Sequence, residues 1–260
     1  RDGTTALEGR PGPAVRRGDV AFALIVGIPI AYGLYAMMSF LGVRGAGEFV
    51  TALGLGAITF LRVVVLVIVA TVVWVPVGVW IGFNPRIARL AQPVVQVLAS
   101  FPANFLFPLA TLAFIHLGVS LNVGGILLMS LGAQWYILFN VIAGAMAMPT
   151  DLREAARMSG LRGRLLWRRL IIPGIFPAYV TGGITASGGA WNASIVAEVV
   201  TYGGTTLTAT GLGAYIAQAA ESADFHQLLA GLAAMSIYVV AINRLFWRRL
   251  YRLAETRYAL

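Results

Sequence analysis

Two ionisable side chains stand at the ends of long apolar segments, where a charge is expected to serve a purpose. Arg62 directly precedes the uncharged run Val63–Pro85, and Glu198 directly follows the run Leu170–Ala197. At about 1.5 Å per helical residue, each charge lies roughly 30–38 Å from the cytoplasmic end of its helix, so the two share a similar depth. Because a desolvated, unpaired charge costs on the order of a few kcal/mol, we predict that they form an ion pair within about 4 Å, in one subunit or between two.

The alternative for Arg62 is direct contact with an anionic substrate. If the pair forms, replacing either residue by Ala should impair assembly, and the charge-swapped double variant should recover part of it. If Arg62 instead serves a substrate, the swap should rescue nothing.

Several uncharged residues in the apolar segments could line a passage for a solute. Buried amides more often tie helices together, so both interpretations remain open for the polar members of this set. The candidates are Gln134, Asn140, Ser187, Trp191 and Asn192. Near three of them, Gly182, Ala186, Ala190 and Ser194 recur at four-residue steps on one helix face. That face is either a seam facing the passage or a second subunit, or a tight contact within one subunit.

Few residue types suited to catalysis or metal binding are present. Cysteine is absent, which excludes disulfides, thiolate metal sites and a cysteine nucleophile. His116 and His226 are too few and too far apart in sequence to indicate a metal centre. All 19 basic residues are arginine, so a phosphate-binding loop with its lysine is excluded. We therefore expect no metal, no cofactor and no ATP hydrolysis by this chain.

One polar segment between apolar runs has the pattern of a short, presented helix. Asp151 is a suitable N-cap, and Glu154 three residues later would complete a capping box. Gly160 stands where a helix end places a left-handed residue. The pattern predicts a helix over Leu152–Ser159, in which two consecutive alanines leave a smooth patch for a partner. A basic helix would follow, and Pro173 would begin the next apolar helix.

The composition indicates an integral membrane protein that positions these groups on helices. The sequence is 59% hydrophobic and 11% charged, with a mean hydropathy of +0.82, whereas soluble domains carry roughly a quarter charged residues. A crossing helix needs about 20 largely uncharged residues. Six crossings are predicted: Val20–Val43, Val63–Pro85, two within Leu90–Thr150 that separate at Gly118–Val123, Leu170–Ala197 and Phe225–Asn243. Thr201–Gly213 is expected to form an external loop before a short helix, Gly213–Ser222.

The arginines predict the orientation of these helices. With the N-terminus inside, every arginine except Arg44 and Arg62 falls in a cytoplasmic loop or tail. We predict cytoplasmic tails at residues 1–19 and 253–260, a membrane domain at 20–252 and a cytoplasmic loop at 149–173. The basic C-terminal segment suits a helix end along anionic lipid headgroups, so the net charge of +9 indicates a membrane partner rather than nucleic acid.

The cytoplasmic loop resembles the EAA loop of binding-protein-dependent ABC transporter permeases. The match consists of Glu154, Ala155, Ala156, Gly160 and Pro173 at the family's spacing. Further segments resemble the nitrate, sulfonate and taurine branch: Thr59–Arg62, Val75–Gly78, Phe101–Pro102, Trp191 with Val196–Glu198, and Gly211–Gly213.

The resemblance implies an all-α, type I importer (MetI-like) fold in a bacterial inner membrane. Residues Glu154–Gly160, with Arg157 among them, would form the coupling helix on a separate ATP-binding cassette ATPase, which would bind the ATP. The further partners implied are a second permease copy or a homologous permease half, and a periplasmic or lipid-anchored substrate-binding protein. Nitrate, bicarbonate, sulfonates, taurine and some heterocyclic vitamin precursors all remain open as substrates, and a small anion is expected.

Two other functions compete with an ATP-driven importer. An ion-coupled secondary transporter usually needs acidic or histidine relays within the membrane, and only Glu198 is available here. A non-transporting membrane scaffold is the third possibility. A co-purifying ATPase would separate the first function from the other two.

Overall fold

The computed structural model describes the backbone of residues 13–258. It describes side chains from residue 20 onward, except those of 34, 36–38, 40, 41, 43 and 44. Residues 1–12 and 259–260 of the two predicted tails lie outside the described residues. Within these bounds the chain is helical throughout, apart from one short β-hairpin and the connecting turns.

The first half of the chain forms four helices around a sharp bend. They are α1 (Pro13–Gly82), α2 (Pro85–Ser100), α3 (Phe107–Leu117) and α4 (Leu121–Ala147), and a 3₁₀ turn at Ala103–Leu106 precedes α3. Helix α1 is interrupted at Gly42, whose φ of 51° and ψ of −153° are not helical. The break predicted between the third and fourth crossings is present, since α3 ends at Leu117 and Gly118 is left-handed.

The second half carries the short helix predicted to be cytoplasmic, a long packed helix and the hairpin. The helices are α5 (Thr150–Met158), α6 (Gly163–Leu166), α7 (Ile172–Ala197), α8 (Leu212–Glu221), α9 (Phe225–Ile242) and α10 (Arg248–Arg257). π-helical turns at Trp167–Ile171 and Asn243–Trp247 join α6 to α7 and α9 to α10. The first π-helical turn lies just before Pro173, which has no N–H to bond the carbonyl of Arg169 in the α-helical pattern. The fifth predicted crossing therefore starts earlier than Pro173, in a continuous helix from Gly163 to Ala197.

Four of the described helices are long and apolar enough to cross a membrane. They are Gly45–Gly82, Leu121–Ala147, Gly163–Ala197 and Phe225–Arg257. A fifth crossing results if α2 and α3 are counted together, although an 81° bend separates them. In the region of the first predicted crossing, the apolar run Val20–Gly33 is shorter than these helices. The described helices thus give four or five crossings rather than the six that the sequence predicts.

The bend between α2 and α3 has a local cause that an uncharged run conceals. Phe101 precedes Pro102, and the proline ring disfavours the helical conformation of the residue before it. Phe101 accordingly has an extended backbone with φ of −70° and ψ of 130°. Because neither Phe101 nor Pro102 is charged, an uncharged run of residues predicts a single straight crossing through this bend.

Small residues allow α1, α4 and α7 to approach closely. A Cβ atom added to Gly78 would lie 2.8 Å from Val141, and one added to Gly182 would lie 2.8 Å from the carbonyl oxygen of Tyr136. Ala186, Ala190 and Ser194 on the same face as Gly182 are buried as well. Of the two interpretations of this face, tight contact within the subunit is therefore the one observed.

The segment predicted as an external loop contains an antiparallel hairpin. Strands β1 (Val199–Tyr202) and β2 (Thr205–Thr208) pair with Val199 opposite Thr208. Gly203 and Gly204 form the turn with positive φ values of 56° and 82°, as a two-residue hairpin turn requires. The short helix predicted after it is present as α8.

Candidate functional site

Arg62 and Glu198 form a buried ion pair within one subunit. Nη1 of Arg62 lies 2.7 Å from Oε1 of Glu198, and the two side chains are 7% and 0% exposed. The side chains are therefore within the 4 Å distance expected from their matching depths. The pair joins α1 to the C-terminal end of α7.

Thr59 and the first turn of α8 complete the coordination of the Glu198 carboxylate. The Thr59 hydroxyl donates to Oε1 of Glu198 at 2.9 Å and accepts from the Leu212 backbone N–H at 2.8 Å. The Ala214 backbone N–H donates to Oε2 of Glu198 at 3.1 Å. The carboxylate thus lies at a helix N-terminus, where free N–H groups and the helix dipole favour a negative charge.

Asn122 holds the opposite side of the arginine. Its side-chain oxygen accepts from Nη2 of Arg62 at 2.8 Å and from the Thr210 backbone N–H at 2.9 Å. Its backbone carbonyl accepts from Nε of Arg62 at 3.1 Å. We call Thr59, Arg62, Asn122 and Glu198 the ion-pair cluster. All three guanidinium nitrogens of Arg62 make a hydrogen bond within this cluster, as is typical of an arginine that holds a fold together.

Two glycines explain why the hairpin and α8 fit against the cluster. A Cβ atom on Gly211 would lie 2.6 Å from Cδ of Glu198, and one on Gly213 would lie 2.9 Å from its Oε2. Nearby, the Tyr215 hydroxyl donates to the Glu48 carboxylate at 2.6 Å. Burial, followed by this carboxylate, raises the pKa of Tyr215, so the phenol remains a donor. Helix α8 is therefore fixed to α1 at two points.

Two of the five passage candidates form hydrogen bonds within the subunit, one to another helix and one within its own helix. The side-chain oxygen of Gln134 accepts from Nε1 of Trp74 at 2.8 Å, which connects α4 to α1. The Asn140 amide donates to the carbonyl of Tyr136 at 2.8 Å and lies at the α4–α7 contact. These bonds occupy the side-chain oxygen of Gln134 and the amide nitrogen of Asn140.

Two further candidates lie among apolar groups. Trp191 is 2% exposed, stacks on Tyr238 with ring centroids 5.6 Å apart, and its indole N–H has no partner in the described chain. Ser187 is buried and lines an apolar cavity of about 730 Å³ between α1, α7 and α9. Both side chains therefore lie on the buried side of α7.

Asn192 is the candidate that the structure places in a polar cavity. This cavity of about 460 Å³ lies between the α2–α3 bend, α4 and α7, and Asn104 and Tyr136 line it with Asn192. On α7, Asn192 continues an exposed face that includes Thr181, Thr185 and Gly188. The spacing of three and four residues keeps these positions on one side of the helix, so a small and polar face extends from the cavity toward α5.

Helix α5, which the sequence predicts to be cytoplasmic, is largely exposed. Glu154, Ala155, Arg157 and Gly160 are exposed, whereas Ala156 is 5% exposed and packs inward. The predicted two-alanine patch is therefore divided: Ala155 alone is available to a partner. Gly160 is left-handed, with φ of 69°, as predicted.

The prediction that Asp151 caps this helix is wrong. Pro149 occupies the N-cap position without a side-chain hydrogen bond, and α5 starts at Thr150. Asp151 lies in the first turn instead, where its charge still favours the helix N-terminus. At the other end, the Gly160 N–H bonds the carbonyl of Arg157 at 3.0 Å and the Leu161 N–H bonds that of Ala156 at 2.9 Å, which is the Schellman arrangement.

One cation–π contact connects α5 to the end of α1. The Arg153 guanidinium carbon lies 5.2 Å from the centroid of the Phe83 ring, directly after α1 ends at Gly82. Sequence reasoning missed this contact, since nothing local relates residues 70 positions apart. It places α5 at the end of α1 that lies roughly 30 Å from Arg62, at about 1.5 Å per residue.

Curated relatives of the chain are membrane permeases. A putative ABC transporter permease of Methanocaldococcus jannaschii is 30% identical over 62% of this chain and 58% of that protein. The taurine transport system permease TauC of Escherichia coli K12 is 25% identical over 70% of this chain and 62% of its own length. The nitrate import permease NrtB of Leptolyngbya laminosa is 24% identical over 71% and 62%. The chain spans about three fifths of the length of these relatives.

The fold and the family agree with these relatives. A solved structure of the MetNI methionine ABC transporter in an inward-facing conformation contains a chain that matches 83% of this one and 97% of its own length. The TM-score is 0.56 at 22% identity, which shows a MetI-like permease fold. Residues 74–259 match the sequence profile of a protein family, which is described as "binding-protein-dependent transport system inner membrane component". The chain belongs to this family.

Proposed function

We propose that this chain is the permease subunit of an ATP-driven importer of small oxyanion-bearing solutes. The observation that carries the proposal is α5, an exposed helix with a left-handed Gly160, held between the crossing helices α4 and α7. In a chain of this family, such a helix is well placed to receive motion from a soluble partner. ATP hydrolysis belongs to that partner, because this chain has no lysine for a phosphate-binding loop.

The proposed topology has six crossings with both termini in the cytoplasm of a bacterial cell. Five of them are the crossings among the described helices, with α2 and α3 counted together as one, and the apolar segment Val20–Val43 supplies the first. The orientation is supported by arginines at the α5 end, such as Arg86, Arg89 and Arg162, which the positive-inside rule assigns to the cytoplasm.

The proposed partners are two ATP-binding cassette subunits, a second permease copy or homologous half, and an external substrate-binding protein. The exposed face of α5 supports the first, since Ala155 leaves room for a closely packed surface. The exposed polar face of α7 supports the second, because polar groups facing lipid are costly. The family, whose description names binding-protein-dependent transport, supports the third.

The proposed substrate class rests on the relatives and on the polar cavity. TauC is named for taurine and NrtB for nitrate, which share a group with several acceptor oxygens. No residue that lines the cavity in the described structure is Asp or Glu, so an anion would meet no fixed negative charge there.

The coupling role is tested by adding bulk to the exposed alanine of α5. Ala155→Arg should abolish uptake of the transported solute and weaken co-purification of the ATPase, because the larger side chain holds the partner off its seat. Ala155→Ser is the matched control and should retain both. Ala156 is unsuitable for this test, since it is buried and bulk there would disturb α5 itself. Normal uptake by Ala155→Arg would remove α5 from the mechanism.

A further inference from the structure

The cavity at the α2–α3 bend contains hydrogen-bonding side chains that no part of the described chain satisfies. The amides of Asn104 and Asn192 and the hydroxyl of Tyr136 make no intramolecular hydrogen bond in the described structure. Ser100, in the same lining, donates instead to the carbonyl of Gln96 at 2.9 Å. Asn104 and Asn192 are both exposed in this cavity, so their amides are open to water or to a solute.

The cavity is built on parts of the fold that hold its shape. The turn that carries Asn104 is a 3₁₀ helix anchored by the bend at Pro102, and its Ala103 lies 3.6 Å from the position of a Cβ on Gly132 of α4. On α7, a Cβ on Gly189 would lie 3.4 Å from the ring of Tyr136. The glycines thus leave the space that the cavity occupies, and three separate elements bring the two amides and the phenol to it.

The chemistry of the lining selects a class of ligand. Amide N–H₂ and phenol O–H groups are neutral donors, and they match the acceptor oxygens of a sulfonate, nitrate or carboxylate group. No ionised side chain lines the cavity in the described structure, since its polar members are serine, asparagine and tyrosine. Neutral donors hold an anion less strongly than arginine would, which suits a site that a solute must both enter and leave.

We propose that the polar cavity is a transient binding site for the oxyanion group of the transported solute, with Asn104 and Asn192 as its hydrogen-bond donors. This inference rests on the importer function proposed above and adds the site and the group that it recognises. Asn192 directs the solute onto the exposed face of α7, along Thr185 and Thr181, toward the α5 end.

Absence of native cysteine allows a clean test with a single reporter thiol. Val196 is an exposed residue of the lining, and Thr205 is exposed in the hairpin away from it. Val196→Cys and Thr205→Cys would each be made in the complete transport complex and modified with a water-soluble methanethiosulfonate. Sodium nitrate or taurine would be the ligand, and equal sodium chloride the reference.

The proposal expects nitrate and taurine both to slow modification of Val196→Cys, by about tenfold when the ligand is at ten times its dissociation constant. Thr205→Cys should be modified at the same rate throughout. Adding Asn192→Leu or Asn104→Leu to Val196→Cys should remove the protection, while Ser236→Ala, on α9 and outside the cavity lining, should keep it.

Three results would overturn the site. They are a Val196→Cys thiol that the reagent cannot reach, protection that survives loss of both amides, or protection by taurine without nitrate, which would mean recognition of the ammonium group. Uptake and ATP hydrolysis by the unmodified complex are measured in parallel. A complex that neither transports nor hydrolyses ATP would refute the importer function, whereas an active complex without protection would refute this site alone.

Discussion

The ion-pair cluster and the polar cavity are two polar regions that share helix α7 but treat their hydrogen bonds in opposite ways. In the cluster, each guanidinium nitrogen of Arg62 and each carboxylate oxygen of Glu198 makes at least one hydrogen bond within the chain, at distances of 2.7–3.1 Å. In the cavity, Asn104 and Asn192 find none in the described structure. Glu198 and Asn192 are only six residues apart, so depth alone does not explain the difference.

The difference separates groups that hold the fold from groups available to a ligand. A buried polar group is costly unless it is bonded, so a fully bonded cluster stabilises the arrangement of its helices and has nothing left to offer a solute. Side chains that remain unbonded but reachable retain that capacity. Stability should therefore respond strongly to changes in the cluster and weakly to changes in the cavity, and transport in the reverse order.

The largest loss of stability is expected for Glu198→Ala. It leaves the Arg62 guanidinium buried and uncompensated, and it removes the acceptor at the N-terminus of α8, which together cost about 3–5 kcal/mol. The measurement is the temperature at which the detergent-solubilised complex loses its monodisperse gel-filtration peak. Glu198→Gln, which keeps the volume and one acceptor, should fall between Ala and the unmodified chain. Unchanged melting of Glu198→Ala would mean that the cluster does not hold α8.

The charge-swapped double variant sharpens the same comparison. Pairing alone predicts that Arg62→Glu with Glu198→Arg recovers part of the lost stability. The structure predicts no recovery, because an arginine at position 198 would face the Ala214 N–H and the Thr59 hydroxyl, which both donate to Glu198, and the positive end of the α8 dipole. If the double variant recovered half or more of the decrease in melting temperature that Glu198→Ala causes, the contacts to α8 would be secondary to the ion pair.

How far the sequence anticipates the cluster depends on which of its members are charged. Arg62 and Glu198 could be paired because charges are scarce in apolar runs and helix rise fixes their depth. Asn122 could not, because it is neutral and its partners include the backbone of residue 210, whose position depends on the hairpin. The hairpin itself has a local signal, Gly203-Gly204 between two β-prone segments, whereas only an external loop is predicted for Thr201–Gly213.

The cavity was harder to anticipate than the cluster. Helical periodicity shows which residues share a face but not what that face packs against, so Gly182 and Ser194 were as plausible for a passage as for a contact. Of the five passage candidates, only Asn192 borders the polar cavity. Asn104 was not proposed, because the Phe101–Pro102 bend that presents it lies inside a run counted as one straight crossing.

Asn122→Leu should cost less than the changes at Glu198. The amide reaches solvent in part, so water can replace its bonds to Nη2 of Arg62 and to the Thr210 N–H, and we expect a loss of about 1–2 kcal/mol. Asn122→Asp is the matched control: its carboxylate can accept both bonds and should maintain or raise the melting temperature. A larger loss for Asp than for Leu would contradict the hydrogen-bond assignment.

Gln134→Met tests a passage candidate that bonds Trp74 and does not line the polar cavity. It leaves Nε1 of Trp74 without its acceptor, so we expect a loss of stability of about 1 kcal/mol. Transport by the folded fraction should be unchanged, because the amide joins α1 to α4 and does not face the cavity. A large fall in uptake at normal melting temperature would return Gln134 to the list of passage residues.

Asn192→Leu should have the smallest effect on stability and a clear effect on transport. The amide has no intramolecular bond to lose, so the free energy of unfolding should change by no more than about 0.5 kcal/mol, as for surface substitutions generally. The melting temperature should therefore change little. Uptake should fall, because the leucine removes a donor and narrows the cavity without changing its neighbours. Ser236→Ala is the control, since its hydroxyl bonds the Leu232 carbonyl at 2.8 Å on α9, which does not line the cavity. If Asn192→Leu instead destabilised the complex as much as Asn122→Leu, the amide would have a structural partner in the assembled complex. The division between bonded and available polar groups would then hold for the isolated subunit alone.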